Sequence, residues 1–64
     1  MIAPKISHLA DMMIEKFGNE ASGHAMQRAL EMHKSGDADG ESLWLKIFEK
    51  IREIQDDSNN IKIN

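Results

Sequence analysis

The chain has 64 residues and no cysteine, so we expect one domain over 1–64, without disulfides, in the cytoplasm as the default compartment. Eleven acidic against eight basic side chains give a formal net charge of −3 at pH 7, which repels a phosphate backbone and disfavours nucleic acid as a partner. The longest apolar runs are three residues, against about 20 for a membrane-spanning helix, and charged side chains interrupt the N-terminal region, so neither a membrane span nor a signal peptide is predicted.

The first predicted helix covers about residues 4–17. Pro4 suits a first helical turn, and apolar residues follow at three- and four-residue steps, which indicates an amphipathic helix. These residues are Ile6, Leu9, Ala10, Met13, Ile14 and Phe17. Gly18 offers a left-handed C-terminal cap, and Asn19 is predicted to cap the next helix through its side chain. Two helices therefore meet with almost no loop.

The second predicted helix, about 20–35, carries small side chains on one face. Ala21, Ala25, Ala29 and Met32 recur at helical spacing, and Met26, Leu30 and His33 widen that face. A stripe of alanines lets another helix approach closely, and its natural complement is a helix with large apolar residues. We expect the third helix to provide them.

A Gly36-Asp37 pair separates the second helix from the third, which is predicted over about 38–56. Asp37 or Asp39 is expected to cap the third helix, where its negative charge complements the helix dipole. The third helix has a wide apolar arc formed by Leu43, Trp44, Ile47, Phe48, Ile51 and Ile54. It is therefore the predicted main contributor to the core.

Residues 57–64 are expected to form a flexible, frayed tail, because Asp, Ser and Asn follow the third helix and are typical of loops. Ile61 and Ile63 alternate with Lys62, so an alternative is that this segment adds a strand to the sheet edge of a partner. The predicted fold is all-α: a small three-helix bundle in which helices two and three form an antiparallel hairpin and helix one closes the core.

Two segments of the third helix resemble functional motifs. Asp37-Ala38-Asp39-Gly40 resembles part of a calcium-binding EF-hand loop, but in that register Lys46 takes the position of the closing carboxylate, so the shell is incomplete. Gly40-Glu41-Ser42-Leu43 resembles the segment around the phosphopantetheine-bearing serine of acyl carrier proteins, although Glu41 replaces the aspartate of that family and only 22 residues follow Ser42. A carrier or metal-binding protein therefore stays a remote alternative.

The remaining chemistry-bearing residues predict no catalytic or metal site. His8, His24 and His33 do not include a pair at the four-residue spacing that brings two imidazoles to one helix face for zinc. No serine is paired with a histidine, and a domain of this size leaves little room for a cleft that shifts the pKa of a base. We expect no enzymatic activity, no cofactor and no small-molecule substrate.

Several large apolar side chains exceed what three short helices can cover. Tryptophan and methionine are enriched where proteins meet, and the predicted interface residues are Met12, Leu30, Trp44 and Leu45. Trp44 is alternatively the centre of the core, packed over Ala25 and Ala29. The sequence favours a protein–protein interaction or regulatory adaptor module, homodimeric because pairing would stabilise so small a core. The alternative is a dimeric nucleic-acid-linked regulator.

The chain also resembles a group of short uncharacterised bacterial proteins, chiefly alphaproteobacterial. The resemblance covers about residues 9–55 and is carried by alanines at helical spacing, a Gly-Asp turn and one tryptophan: Phe17-Gly18, Ala21, Ala25, Arg28-Ala29, Met32, Gly36-Asp37, Gly40, Trp44, Ile47 and Ile51. It implies a small cytoplasmic helical protein and no particular reaction.

Overall fold

The structure is a computed structural model that describes the backbone of residues 6–59 and the side chains of residues 6–56. Helix α1 spans Ile6–Phe17, a 3₁₀ turn spans Gly18–Glu20, helix α2 spans Ala21–Lys34 and helix α3 spans Ala38–Asn59. The all-α prediction is confirmed. The helix start predicted at Pro4 and residues 60–64 of the tail predicted over 57–64 lie outside the described residues, whereas the backbone of 57–59 is helical.

The break between α1 and α2 is centred on Gly18, whose φ of +59° is the left-handed conformation expected for a helix cap. Capping by Asn19 was the wrong prediction. Asn19 lies within the 3₁₀ turn, where the backbone N–H of Ala21 donates to the Gly18 carbonyl, and the residue before α2 is Glu20, which makes no side-chain cap bond. The backbone itself satisfies the groups that a capping side chain would serve.

Because the 3₁₀ turn joins α1 directly to α2, the described chain has two unbroken stretches of helical residues, 6–34 and 38–59. The prediction of three separate helices in a bundle is therefore not confirmed. Helix α3 also continues to Asn59, beyond the end predicted at 56. The segment after Gln55 has residues typical of loops but contains no Gly or Pro, so nothing in it forces the helix to stop.

The turn between α2 and α3 forms as predicted. Gly36 has a φ of +80°. The amides of Gly36 and Asp37 donate to the carbonyls of His33 (3.1 Å) and Met32 (2.9 Å). This pair of backbone hydrogen bonds closes many helix C-termini. Asp37 then caps α3, because its Oδ1 accepts from the amide of Gly40 at 2.9 Å. Asp37 thus helps to close α2 through its backbone amide and caps α3 through its side chain.

Helices α2 and α3 run antiparallel, since hydrogen bonds connect them at both ends. Near the turn, His33 Nδ1 lies 3.1 Å from Glu41 Oε1. At the other end, Gln55 Nε2 donates to the Gly18 carbonyl just before α2 at 3.0 Å. Within residues 6–59, no helix combines the length and the apolar character needed to cross a membrane.

The core lies where the alanines of α2 meet the isoleucines of α3. Ala21, Ala25 and Ala29 are buried, as are Ile47 and Ile51. The predicted match of a small-residue face with a large-residue face is confirmed. Other apolar side chains pack around this centre while partly exposed, and they are Ile6, Leu9, Met13, Ile14, Phe17, Trp44, Phe48 and Ile54. Leu43, predicted on the core arc, is instead exposed at its edge.

Candidate functional site

A cleft of about 310 Å³ opens where α1, the start of α2 and the start of α3 converge. Its walls combine five apolar side chains with three basic or imidazole ones. The apolar ones are Leu9, Met12, Met13, Phe17 and Trp44, and the others are Lys16, His24 and Arg28. We name this feature the Trp44 cleft.

Helix α1 forms most of the apolar wall. Leu9, Met12 and Met13 lie three or four residues apart, so they share one side of the helix. Leu9 and Met13 pack partly against the core, whereas Met12 is 52% exposed. A large unbranched thioether at the mouth of a cleft adapts its shape to whatever it contacts.

Trp44 belongs to the core and to the cleft at once. Its side chain is half-buried, packs against the buried cluster and lines the cleft. Trp44 therefore packs beside the core rather than at its centre, and its place in an interface stays a prediction. Because part of the indole is already fixed by packing, ordering it on binding costs little conformational entropy.

A stacked pair of rings connects α1 to α2 across the 3₁₀ turn. The rings of Phe17 and His24 lie 3.9 Å apart between centroids with an interplanar angle of 21°. His24 Nε2 is also 3.9 Å from Glu20 Oε1, the pairing that four-residue spacing predicts. The stack has no signal in the sequence, because the helical spacing rule does not extend across the break at Gly18.

The rim of the cleft is basic. Lys16 and Arg28 line it, and no aspartate or glutamate of the described side chains, residues 6–56, does. The Nη1 atom of Arg28 lies 3.5 Å from Oε1 of Glu31. The Nζ atom of Lys16 lies 5.9 Å from the centre of the Phe17 ring. Lys16 makes no ion pair with any described residue. The cleft is therefore apolar inside with an available positive charge at its edge.

The other two predicted interface residues lie elsewhere. Leu30 on α2 is 53% exposed and Leu45 on α3 is 36% exposed, and neither lines the Trp44 cleft. The structure thus brings Met12 and Trp44 together in one cleft, whose described lining includes neither Leu30 nor Leu45.

A second concavity, larger but shallow, runs along the charged side of α3 with a volume of about 680 Å³. Its walls alternate basic and acidic side chains, and Lys50 Nζ lies 3.3 Å from Glu53 Oε1. Such paired charges on an exposed helix are typical of a solvated face. We consider the smaller Trp44 cleft the better candidate, because most of the side chains that line it are apolar and Met12 among them is exposed.

The residues considered for metal or carrier chemistry lie apart. Among the described residues, no cluster of three or more His, Asp or Glu side chains could hold a metal ion. Asp37 is engaged as a helix cap and Ser42 is exposed. No polar or charged side chain of the described chain is buried, and the polar groups that line the Trp44 cleft are Lys16, His24 and Arg28. The geometry fits apolar docking.

Comparisons of the chain with protein-family models, with curated proteins and with solved structures found no match. The geometry and charge of the Trp44 cleft are therefore the basis for inferring a function.

Proposed function

We propose that the chain is a small cytoplasmic protein–protein interaction module in which α1, α2 and α3 act as one three-helix bundle. The observation that carries the proposal is the Trp44 cleft, where a half-buried tryptophan and a 52% exposed methionine share one concave surface. Aromatic residues and methionine are enriched in the buried centres of protein interfaces. The cleft would receive a large apolar side chain from a partner protein.

The size of the cleft supports docking of a side chain rather than binding of a cofactor. Its volume of about 310 Å³ is at the lower limit of small-molecule sites, which span roughly 300–1,000 Å³ and contain a few convergent polar groups. The Trp44 cleft has none that is buried. An apolar anchor needs no such groups, since its burial is favourable by about 1.5–3 kcal/mol without directional bonds.

Photo-crosslinking tests this proposal. A photo-reactive amino acid placed at Met12 in cells that make the chain should form a covalent adduct with a protein, and Trp44→Ala should reduce its yield. The same group at Lys34, an exposed residue outside the cleft, is the matched control and should give little adduct. Equal adducts at both positions, or none at Met12, would contradict the proposal.

The alternative function, a dimeric nucleic-acid-linked regulator, has less support. The net charge of −3 repels a phosphate backbone. In addition, Lys50 and Arg28 are paired with Glu53 and Glu31 at 3.3 Å and 3.5 Å. Binding of random-sequence DNA that weakens steeply with salt would favour the alternative over the protein module.

A further inference from the structure

Helix α3 carries an acidic stripe that the Trp44 cleft does not use. Glu41, Leu45, Glu49 and Glu53 follow one another at four-residue intervals, so their side chains lie along one side of the helix. Leu45 is the apolar member of this stripe and is 36% exposed. Glu41 contacts His33, and Glu53 contacts Lys50. Glu49 makes no ion pair within the described part of the chain.

The stripe and the cleft differ in the charges that surround their apolar groups. On the stripe Leu45 lies between Glu41 and Glu49, whereas the described residues that line the cleft include Lys16 and no carboxylate. Lys16 and Glu49 are opposite charges that each lack an ion pair among the described residues. Three basic residues lie beside the stripe in the charged concavity of α3, namely Lys46, Lys50 and Arg52. Lys50 contacts Glu53, and the guanidinium of Arg52 lies 5.7 Å from the Phe48 ring centre.

We propose that the occupant of the Trp44 cleft is Leu45 of a second copy of this chain, with Glu49 of that copy placed against Lys16. This inference rests on the proposed function, because it names the partner of the same cleft. Trp44 and Leu45 are adjacent in sequence, so the cleft wall and the inserted leucine are about 100° apart around one helix. Two copies related by a twofold axis exchange the contact twice, which closes the assembly as a dimer.

The small size of the chain favours this partner. A 64-residue chain buries a limited fraction of its surface, and small domains often gain stability by pairing. Leu45 and Met12 are both exposed in one copy. Dimerisation would remove their apolar surface from water at each of the two equivalent contacts. Every copy of the chain carries both the acidic stripe and the cleft, so the two surfaces are always present at equal concentration.

Sedimentation equilibrium of the full chain tests the contact. The wild type should dimerise, and Leu45→Glu and Met12→Glu should each raise the dissociation constant at least about tenfold, since each buries a charge in place of an apolar anchor. Leu30→Glu is the matched control, because Leu30 is 53% exposed and lies outside both surfaces, and it should change the constant less than about twofold. Circular dichroism should show the same helicity for all variants at equal concentration of monomer.

A mixing experiment tests whether each copy inserts its Leu45 into the cleft of the other copy. Leu45→Glu leaves the cleft intact, and Met12→Glu leaves Leu45 intact, so an equimolar mixture regains one of the two contacts. The mixture should dimerise more strongly than either variant alone. No gain on mixing, or a Leu30→Glu variant as weak as Leu45→Glu, would overturn the proposed geometry.

A charge exchange tests the ionic contact. Lys16→Glu and Glu49→Lys should each weaken the dimer by about two- to fivefold, the size expected for an exposed ion pair, and the double variant should recover most of the loss. Glu49→Lys also lowers the net negative charge of the chain, so general repulsion alone would strengthen the dimer. A stronger dimer from this variant would therefore refute the pairing.

The two proposals can fail separately. A wild type that stays monomeric at every concentration removes the second copy as the occupant. If position 12 still forms a protein adduct in cells that Trp44→Ala reduces, the protein-binding function stands with a different partner. If neither dimer nor adduct forms, both proposals fail.

Discussion

The capping aspartate of α3 gives the sharpest prediction about stability. Asp37 Oδ1 accepts from the Gly40 amide at 2.9 Å, and the Asp37 carbonyl accepts the first helical bond of α3, from the Glu41 amide at 2.9 Å. Asp37→Ala deletes the first bond and keeps the second. Loss of a side-chain cap costs roughly 0.5–2 kcal/mol, and loss of the negative charge at a helix N-terminus adds about 0.3–1 kcal/mol.

Two matched variants separate these contributions. Asp37→Asn keeps an oxygen that can accept from Gly40 and loses only the charge, so it should cost about 0.3–1 kcal/mol. Asp39→Ala removes a carboxylate from the same first turn, where it makes no hydrogen bond or ion pair with the described residues, and should cost a similar amount. We therefore expect Asp37→Ala to lower the free energy of unfolding by about 1–2 kcal/mol and each control by at most about half of that.

Urea unfolding followed by circular dichroism measures this difference. With a slope near 1 kcal/mol per molar urea for a small domain, Asp37→Ala should lower the midpoint by about 1–2 M. All variants must be compared at one chain concentration, because coupling to dimerisation would shift the midpoint by mass action. Hydrogen exchange at the Gly40 amide should accelerate in Asp37→Ala and stay near wild type in Asp37→Asn. If Asp37→Ala and Asp39→Ala unfold at the same midpoint, the capping argument is wrong.

Three further substitutions, one of them with a matched control variant, test other parts of the fold by the same unfolding assay. Gly23→Ala in α2 should raise the free energy of unfolding by about 0.5–1 kcal/mol, since a methyl group there meets no atom within 4 Å; a loss would mean that the site is not an open helix position. Ile47→Ala should cost about 2–5 kcal/mol because Ile47 is fully buried, whereas Leu30→Ala should stay within about 0.5 kcal/mol, and equal costs would refute the assignment of the core. Gln55→Ala should cost about 0.5–1.5 kcal/mol through its lost bond to the Gly18 carbonyl, and no change would mean that this bond adds nothing to the stability of the hairpin.

The elements of the fold were largely predictable from local chemistry. Gly18 was expected to form a left-handed helix cap and Gly36 to separate the second helix from the third, and both have a positive φ. Asp37 was one of the two residues expected to cap α3. These features depend on residues close together in sequence, which is where propensity and capping rules hold. The prediction failed at Asn19, where a 3₁₀ turn used backbone bonds in place of the side chain.

The candidate site was only half predictable, because its geometry depends on how helices pack. Periodicity marked Met12 and Trp44 as surplus apolar residues but gave no reason to place them together. The stack of Phe17 on His24 crosses a helix break, so no spacing rule connects the two rings. The basic rim had no signal at all, since Lys16 and Arg28 lie on different helices that only tertiary contact brings to one cleft.

The apolar floor of the Trp44 cleft comes from α1 and Trp44 and not from the alanine face of α2. The alanines of α2 are buried with Ile47 and Ile51, and none of them is among the described residues that line the cleft. Of those lining residues α2 contributes His24 and Arg28, both polar, while α1 and Trp44 contribute large apolar groups. The floor is therefore apolar and one edge is charged. The small residues of α2 thus serve the core of the hairpin, while the apolar surface of the cleft belongs to α1 and Trp44.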